Sequence, residues 1–261
     1  MMEEHPASNI QHPTPMSPDA CERALDIEPS MSKVECSFLL LNSGKCDPAF
    51  NMALDEALLE AMPRLQTPVL RFYGWKEPAA TFGYFQKYAE VERTTLLRPL
   101  IRRPTGGGIV PHDADWTYSL VFPPGREWHS FKAEESYRRV HEWIQSAFAR
   151  MDVATELALK SHPAGPGQCF VGYEKSDLLW RGKKIAGAAQ RRNHLGLLIQ
   201  GSVQPPPIAL ARADWESAMR DVAVQEFGAA WNDFSPDTTL CARADELVRK
   251  KYSQETCNRK R

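Results

Sequence analysis

Residues 168–192 of the sequence, QCFVGYEKSDLLWRGKKIAGAAQRR, combine a thiol with a lysine at a spacing that suits acyl transfer. Lys184 follows Cys169 by 15 residues. A thiol becomes an effective nucleophile where a nearby cation favours its thiolate. If the intervening residues form a hairpin, Cys169 and Lys184 lie close together at its open end. The alternative is that Cys169 is a buried packing residue, the more common outcome for a free cysteine when only spacing is considered.

A second segment, LIRRPTGGGIVPHDADWTYSLVF at residues 100–122, contains a glycine triplet directly after two arginines. Glycines have no Cβ atoms, so the N–H groups of such a loop can approach an oxyanion or a thioester carbonyl, and an arginine can add positive charge. His112 and Asp113 follow. The candidate binding residues in this segment are Arg102, Arg103, Gly106, Gly107, Gly108 and His112. The triplet is equally compatible with a plain turn, because glycine mainly indicates unusual backbone torsion angles.

The run IAGAA at residues 185–189 consists mostly of small side chains. Gly187 and Ala188 would let the backbone approach a bound acyl chain, and the glycine N–H could face a developing oxyanion. Tight packing between strands explains the same residues equally well. The run therefore indicates a candidate binding surface without deciding its use.

Composition excludes several other classes of function. Lysine and arginine total 32 against 33 acidic residues, which gives no reason to expect a nucleic-acid partner. The six cysteines form no C-x-x-C pair and no zinc-ligand spacing, so we expect reduced thiols and no metal. No Walker-type or dinucleotide-binding glycine pattern occurs. The sequence also has no signal-like segment and no run of about 20 apolar residues, so we expect a cytoplasmic protein without a membrane partner.

The elements that must position these residues can be predicted from periodicity and turn residues. Residues 1–33 are poor in large apolar groups and predict a disordered tail, and residues 253–261 predict a basic tail. We predict strands at residues 34–42, 68–75, 79–85, 115–122 and 196–203, a hairpin across Arg181 and Gly182, and helices starting at Asp47 and ending at Pro63, through 137–151, and at 212–228 and 240–252. Many strands, short turns and few long helices favour an α+β domain with a mostly antiparallel sheet.

Four motifs occur in the order seen in a known superfamily. They are NMALDEALL, the strand pair ending in Trp75-x-x-Pro78 with Gly83-x-x-Gln86 after it, RRPTGGGIVPHD, and GKKIAGAAQRR. Over about residues 36–204 the sequence resembles the lipoate protein ligase and octanoyltransferase superfamily, which also includes biotin protein ligases. The resemblance implies a biotin/lipoate protein ligase-like catalytic domain over residues 34–252, with a central mixed sheet flanked by helices. Such domains attach a medium-chain acyl group or lipoate to a lysine of a lipoyl domain.

The cysteine-dependent octanoyltransferase branch is the most similar. In that branch a Cys-Phe pair precedes a Gly-x-Lys motif, and its thiol accepts octanoate from acyl carrier protein as a thioester. Here Cys169 and Phe170 precede Gly182-Lys183-Lys184. The resemblance therefore implies that Cys169 is the nucleophile, that Lys184 helps to generate its thiolate, and that the glycine loop lines the acyl tunnel. Octanoyl acyl carrier protein and lipoyl-domain proteins are the implied partners, and no cofactor is needed.

Two other functions remain open. The loop reads Gly-Gly-Gly, as in ATP-dependent lipoate protein ligases, whereas octanoyltransferases usually have Gly-Gly-Arg. In a ligase, Lys184 and the loop would hold lipoyl-adenylate, ATP and Mg²⁺ would be required, and Cys169 would be a spectator. A non-catalytic acyl-binding protein is the third possibility, and the joint presence of Cys169, Lys184 and the glycine loop argues against it.

Overall fold

The computed structural model describes Met1, residues 36–162, Phe170 and residues 172–260. The predicted disordered tail at residues 1–33, apart from Met1, and the candidate nucleophile Cys169 lie outside the described residues. The described residues from Cys36 to Lys260 belong to one compact unit. No described helix is long and apolar enough to cross a membrane.

Two β-sheets are present in the described part of the chain. In chain order the strands are β1 (Cys36–Cys46), β2 (Val69–Trp75), β3 (Ala79–Phe82), β4 (Leu100–Arg102), β5 (Val110–His112), β6 (Trp116–Phe122), β7 (Glu156–Leu157), β8 (Leu178–Trp180), β9 (Lys183–Asn193), β10 (Gly196–Val203) and β11 (Ala229–Asp233). The large sheet has the order β11-β1-β2-β6-β10-β9-β8-β7, and the small sheet has the order β4-β3-β5. β1 pairs in parallel with β2 and β11, and the other neighbours in the large sheet are antiparallel.

Helices cover both faces of the large sheet. They are α1 (Pro48–Leu65), α2 (Tyr88–Thr94), α3 (Glu127–Ser130), α4 (Ala133–Ala149), α5 (Arg212–Phe227), α6 (Thr238–Leu247) and α7 (Glu255–Asn258), with a π-helical turn at Val248–Tyr252 between the last two. On one face α4 and α5 bury Trp143 and Trp215 in an aromatic core. On the other face α1 and α6 bury Leu58 and Leu240 against the alternate residues of the same strands. The sheet is therefore the middle layer of the domain.

The predicted fold class is confirmed, since the sheet is mixed, mostly antiparallel and flanked by helices. The strand predicted at 196–203 is β10, and the predicted hairpin is formed by β8 and β9. Its turn residues Arg181 and Gly182 both have positive φ, of 49° and 74°, as a tight two-residue hairpin turn requires. The helix expected to end at 228 ends on Gly228, whose φ of 64° suits a C-terminal cap.

The prediction that α1 ends at Pro63 was wrong. Pro63 lies in the last turn of α1, where a proline removes one N–H donor and leaves the rest of the helix intact. The helix continues to Leu65, and Gln66 ends it in the left-handed conformation, with its N–H donated to the Met62 carbonyl at 3.0 Å.

Several elements were not predicted from the sequence. They are the separate small sheet, the edge strand β11 and the short helices α2, α3 and α7. The segment expected as a basic tail contains α7, whose Asn258 is buried and accepts from the backbone N–H of Arg102 in β4 at 2.9 Å. The end of the described chain thus supports the strand that leads into the glycine loop.

Candidate active site

A cleft on the α1 face of the large sheet brings together most of the predicted site residues. It is bounded by the sheet, α1 and the loop that follows β4, and its empty volume is about 470 Å³, including solvent at its mouth. The predicted residues that line it are Arg103, Gly107, His112, Lys184, Gly187 and Ala188. The cleft lies over paired residues of three strands, since Ser202 of β10 faces both Gly187 and Thr117.

Lys184 is held in the cleft by a buried carboxylate. Its Nζ lies 2.7 Å from Oδ2 of Asp177, and the two side chains are 7% and 0% exposed. Asp177 also accepts hydrogen bonds from the Tyr137 hydroxyl and from the backbone N–H of Glu174. A buried carboxylate with several donors favours a cationic partner. Lys184 is therefore placed as a fixed positive charge in the cleft.

Gly187 leaves the space through which the Lys184 side chain passes. A Cβ at this position would lie 2.6 Å from Cε and 2.7 Å from Nζ of Lys184, and 3.3 Å from Oδ1 of Asp177. These distances are shorter than van der Waals contact. The sequence suggested that Gly187 brings backbone close to an acyl chain, whereas the geometry shows that its missing side chain accommodates the lysine of the same strand.

A bulge in the β8–β9 hairpin brings Asp177 next to Lys184. Leu179 pairs with Lys184, but Leu178 pairs with Ala186, so one extra residue of β9 is inserted between the two pairs. A bulge of this kind changes which side chains lie opposite each other. Asp177, directly before β8, consequently reaches Gly187 and the end of the Lys184 side chain.

Phe170, the residue after Cys169 in the sequence, also lines the cleft. Its ring centroid lies 5.3 Å from Nζ of Lys184, within the range of a cation–π contact. The described residue closest in sequence to the candidate nucleophile is thus in contact with the candidate site lysine.

Arg103 fixes the shape of the glycine loop. Its guanidinium donates to the carbonyl oxygens of Gly106, at 3.0 and 2.6 Å, and of Gly108, at 2.7 Å. Gly107, between them, has a φ of 83° and lines the cleft. Gly106 and Gly108 are thus brought to the site through their contacts with Arg103.

Gly83 explains the predicted Gly-x-x-Gln motif after β3. A Cβ on Gly83 would lie 1.9 Å from the Gly107 carbonyl oxygen, so only glycine lets the end of β3 approach the loop this closely. Gln86 caps the turn, since its Oε1 accepts from the Gly83 N–H at 2.9 Å. The backbone carbonyl oxygen of Thr105, in the glycine loop, also accepts from the Tyr84 N–H at 2.8 Å.

Arg102 lies outside the cleft lining, unlike Arg103. Its guanidinium donates to the carbonyl oxygens of Tyr84 and Gln86 and to that of Asn258 in α7. Adjacent residues of a strand point to opposite sides, so only one of the two arginines reaches the cleft. Arg102 joins α7 to the turn after β3.

His112 belongs to a buried hydrogen-bonded chain at the floor of the cleft. Its Nδ1 lies 2.9 Å from Oδ2 of Asp115, and its Nε2 lies 2.8 Å from the Thr81 hydroxyl. Asp113, the next residue in the sequence, is exposed, and the carboxylate that contacts His112 is that of Asp115. The ring of Trp75 stacks on the imidazole at 3.9 Å and fixes its plane.

A second polar network lies beneath the cleft, centred on Asp55 of α1. The Asp55 carboxylate accepts from Arg71, Tyr73, Ser119 and Gln200 at distances of 2.7 to 3.1 Å. Gln200 in turn accepts from the Thr105 hydroxyl of the glycine loop at 2.8 Å. Burial, and then the Asp55 charge, raise the pKa of the cleft-lining Tyr73 well above its ordinary value, so Tyr73 is a neutral donor.

Within residues 36–162, Phe170 and 172–260, no group of three or more His, Cys, Asp or Glu side chains is arranged to hold a metal ion.

The family of this chain can be identified by comparison with known proteins. The model of the lipoyl protein ligase A/B catalytic domain matches residues 47–204, from the N-terminal cap of α1 to the end of β10. The chain belongs to this family. The matched segment contains every predicted site residue.

One curated relative is similar to this chain in sequence, and two solved structures are similar to it in fold. The octanoyltransferase LipM of Geobacillus kaustophilus (strain HTA426) is 36% identical over 176 residues, which cover 62% of this chain and 63% of the relative. The chain therefore spans less than two thirds of the length of this relative. A lipoate-protein ligase A bound with ATP has a TM-score of 0.69 at 21% identity and covers 86% of this chain and 98% of its own. A bipartite lipoate protein ligase with its E2 lipoyl domain, from Thermoplasma acidophilum, has a TM-score of 0.63 at 20% identity, covering 86% and 96%. At these identities the two structures establish the fold alone.

Four functional side chains were missed by sequence reasoning. Asp177, Asp115, Thr81 and Gln200 each contact a predicted site residue or the glycine loop. Asp115 lies three residues after His112, and Asp177 lies in the quoted cysteine segment, so proximity to a candidate was an available signal. Thr81 and Gln200 carried none, because long-range pairing brings them to the cleft.

Proposed function

We propose that this chain is an octanoyltransferase that moves an octanoyl group from acyl carrier protein, through a thioester on Cys169, to a lysine of a lipoyl domain. The curated relative at 36% identity is named an octanoyltransferase, which supports this activity. The bipartite ligase of the same fold was solved with its lipoyl domain, which supports the acceptor class.

The observation that carries the proposal is the position of Lys184. Its ammonium is fixed by Asp177 at 2.7 Å, lies over Gly187, and is 5.3 Å from the ring of Phe170, the residue covalently attached to Cys169. A fixed cation beside a thiol favours the thiolate, which attacks the donor thioester. The same cation stabilises the thiolate as the leaving group when the acyl group is passed on.

The glycine loop supplies the second part of the proposed machinery. Arg103 binds the carbonyl oxygens of Gly106 and Gly108, which keeps the loop in one conformation at the edge of the cleft. Backbone N–H groups held in this way can stabilise the negative charge that develops on the thioester oxygen. A thioester exchange followed by aminolysis of the Cys169 thioester needs no nucleotide.

The direct test is intact-mass analysis after incubation with octanoyl acyl carrier protein. We expect an octanoyl adduct on the wild-type chain, no adduct on Cys169→Ser, and loss of the wild-type adduct when a lipoyl domain is added. Cys257→Ser is the matched control, because Cys257 lies in α7 outside the cleft lining. A Cys169→Ser variant that acylates the lipoyl domain at the wild-type rate contradicts the mechanism.

An ATP-dependent lipoate protein ligase is the second candidate. The Gly-Gly-Gly loop and the fold shared with a ligase bound to ATP favour it. Lys184 and Arg103 are the cationic residues of the cleft that suit an acyl-adenylate phosphate. Release of AMP with amide formation, on supplying free lipoate, ATP, Mg²⁺ and a lipoyl domain, would support this candidate. Binding of an acyl donor without turnover in either assay would support a non-catalytic protein instead.

A further inference from the structure

We propose that His112, through the hydroxyl of Thr81, accepts the proton that the acceptor lysine must lose before it attacks the acyl group. This assignment rests on the proposed function, and it concerns the second half of the reaction. A lysine ε-ammonium has no lone pair and cannot attack a carbonyl until a base removes a proton.

Lys184 is poorly suited to that task in this structure. Its Nζ is held at 2.7 Å by the buried carboxylate of Asp177, so this side chain is already engaged in an ion pair. Tyr73, the phenol of the cleft, is a neutral donor to Asp55. Arg103 is permanently cationic. Among the described side chains that line the cleft, the remaining titratable group is His112.

The contacts of His112 define which nitrogen can accept a proton. The Asp115 carboxylate oxygen that faces Nδ1 already accepts from the hydroxyls of Thr117, at 3.0 Å, and Ser202, at 2.7 Å. Because this oxygen is the acceptor for both hydroxyls, it also takes a hydrogen from Nδ1. Nε2 is therefore the acceptor nitrogen, and the Thr81 hydroxyl donates to it at 2.8 Å.

Thr81 places this base within reach of the cleft. Thr81 lines the cleft, and its hydroxyl accepts from Nη1 of Arg103 at 3.3 Å while it donates to His112. A hydroxyl has two acceptor lone pairs, and in the described part of the chain Arg103 occupies one of them. The other lone pair is available to an N–H of an entering amine. The order carboxylate, imidazole, hydroxyl is that of hydrolase triads, with the hydroxyl here carrying a proton instead of attacking.

The step balances without a further reactant. One ammonium proton passes to the Thr81 oxygen as the Thr81 proton passes to Nε2 of His112, which leaves an uncharged amine and an imidazolium stabilised by Asp115. The amine lone pair forms the N–C bond, and the C–S bond breaks with its electron pair on sulfur. The second proton on nitrogen then moves to that sulfur, and His112 returns its proton to solvent.

The test separates acyl loading from acyl transfer. His112→Asn keeps an N–H donor for Asp115 and removes Nε2, and His194→Asn, at an exposed position, is the matched control. Loading is followed by intact mass with octanoyl acyl carrier protein. Transfer from the loaded chain is then timed with a lipoyl domain and, separately, with hydroxylamine, which is already uncharged at neutral pH.

For His112→Asn we expect loading within a few-fold of wild type, transfer to lysine slowed by about 10²- to 10⁴-fold, and transfer to hydroxylamine close to wild type. Thr81→Val should show the same pattern, and Thr81→Ser should restore transfer. Equal loss of both transfers indicates a merely structural role and overturns the proposal, as does an unchanged rate with lysine. If the wild-type chain itself fails to load, the proposed function fails, and this proposal fails with it.

Discussion

At the scale of single residues, Gly187 determines where the Lys184 ammonium lies. We predict that Gly187→Ala pushes the lysine away from Asp177, because the new Cβ would lie 2.6 Å from Cε. Displacing a reacting or stabilising group by about 1 Å can cost on the order of 10²-fold in rate. The rate of acyl loading, measured by intact mass, should therefore fall by roughly that factor.

Gly182→Ala is a suitable control for this prediction. Gly182 lies in the turn of the same hairpin, has a φ of 74°, and has no atom within 4 Å of a built Cβ. An alanine there strains the backbone by about 1–2 kcal/mol without approaching Lys184. If both variants load at the same reduced rate, hairpin stability and not the position of Lys184 is responsible.

The sequence located the site's cation and glycine loop but not the groups that hold them. Lys184 and the triplet stand out by type and spacing, whereas Asp177 reaches Lys184 only because a bulge shifts the β8–β9 register. An unbulged hairpin would place Asp177 one residue away from Gly187. Register irregularities depend on tertiary packing, so a periodicity argument does not reveal them.

At the scale of elements, the end of β3 and the glycine loop constrain each other through Gly83. We predict that Gly83→Ala moves the loop, since a Cβ would lie 1.9 Å from the Gly107 carbonyl oxygen and both partners are backbone. The variant should fold with a lower melting temperature and should transfer acyl groups slowly. An unchanged transfer rate would show that the position of Gly107 does not matter for the reaction.

The attachment of α1 to the sheet depends on a buried ion pair. Arg71 and Asp55 are both 0% exposed and lie 2.7 Å apart. We predict that Arg71→Met lowers the free energy of unfolding by about 3–5 kcal/mol, because it leaves a buried carboxylate without its cation. Denaturant unfolding measures the change. Lys76→Met, which removes an exposed pair with Asp47, should lower the free energy of unfolding far less than Arg71→Met does, and equal losses would contradict the argument.

Elements with strong local patterns were predicted well, and those defined by distant pairing were not. β10 matches its predicted range, and α4 carries its apolar stripe at Val140, Ile144 and Phe148. β11 has only five residues, and it becomes a strand because β1 offers it a parallel edge. A short strand of this kind is specified by its partner more than by its own residues.

At the scale of the whole molecule, one buried histidine links stability to pH. Burial lowers the pKa of His141 in α4 from 6.5 to about 4, and its Nδ1 lies 2.8 Å from the Tyr137 carbonyl oxygen. Between these two pH values the unfolded chain binds a proton that the folded chain does not. The contribution of His141 to the free energy of unfolding is therefore constant above about pH 6.5. It decreases as the pH drops toward 4, by about 3 kcal/mol in total.

Thermal unfolding at pH 7.5 and pH 5 tests this dependence. We predict that His141→Leu has a lower melting temperature at pH 7.5, since it loses a hydrogen bond, but a smaller further decrease at pH 5 than the wild type. His194→Gln, at an exposed position, should keep the wild-type difference between the two pH values. A His141→Leu variant with the full wild-type decrease would assign the acid sensitivity to other groups.

The fold class was predictable from the sequence, but the coverage of both faces of the large sheet by helices was not. Many strands, short turns and few long helices indicated an α+β domain, but the sequence did not indicate that α4 and α5 cover one face while α1 and α6 cover the other. That arrangement depends on the side of the sheet to which each loop between a strand and a helix leads. It also explains why polar residues such as Arg71 and Gln200 occur inside apparently apolar strands, where they face Asp55 of α1.

The position of α1 couples the wall of the cleft to the glycine loop. Met52 lines the cleft, and Asp55, three residues later on the same face of the helix, holds Gln200, which in turn binds Thr105 of the glycine loop. One turn of helix thus contributes both to the wall of the cleft and to the placement of the glycine loop. If the cleft holds an acyl chain, as proposed, substitutions of Met52 that change the preferred chain length will also shift Gln200, which contacts its sulfur at 3.4 Å, and with it the glycine loop, so the two properties cannot be tuned independently.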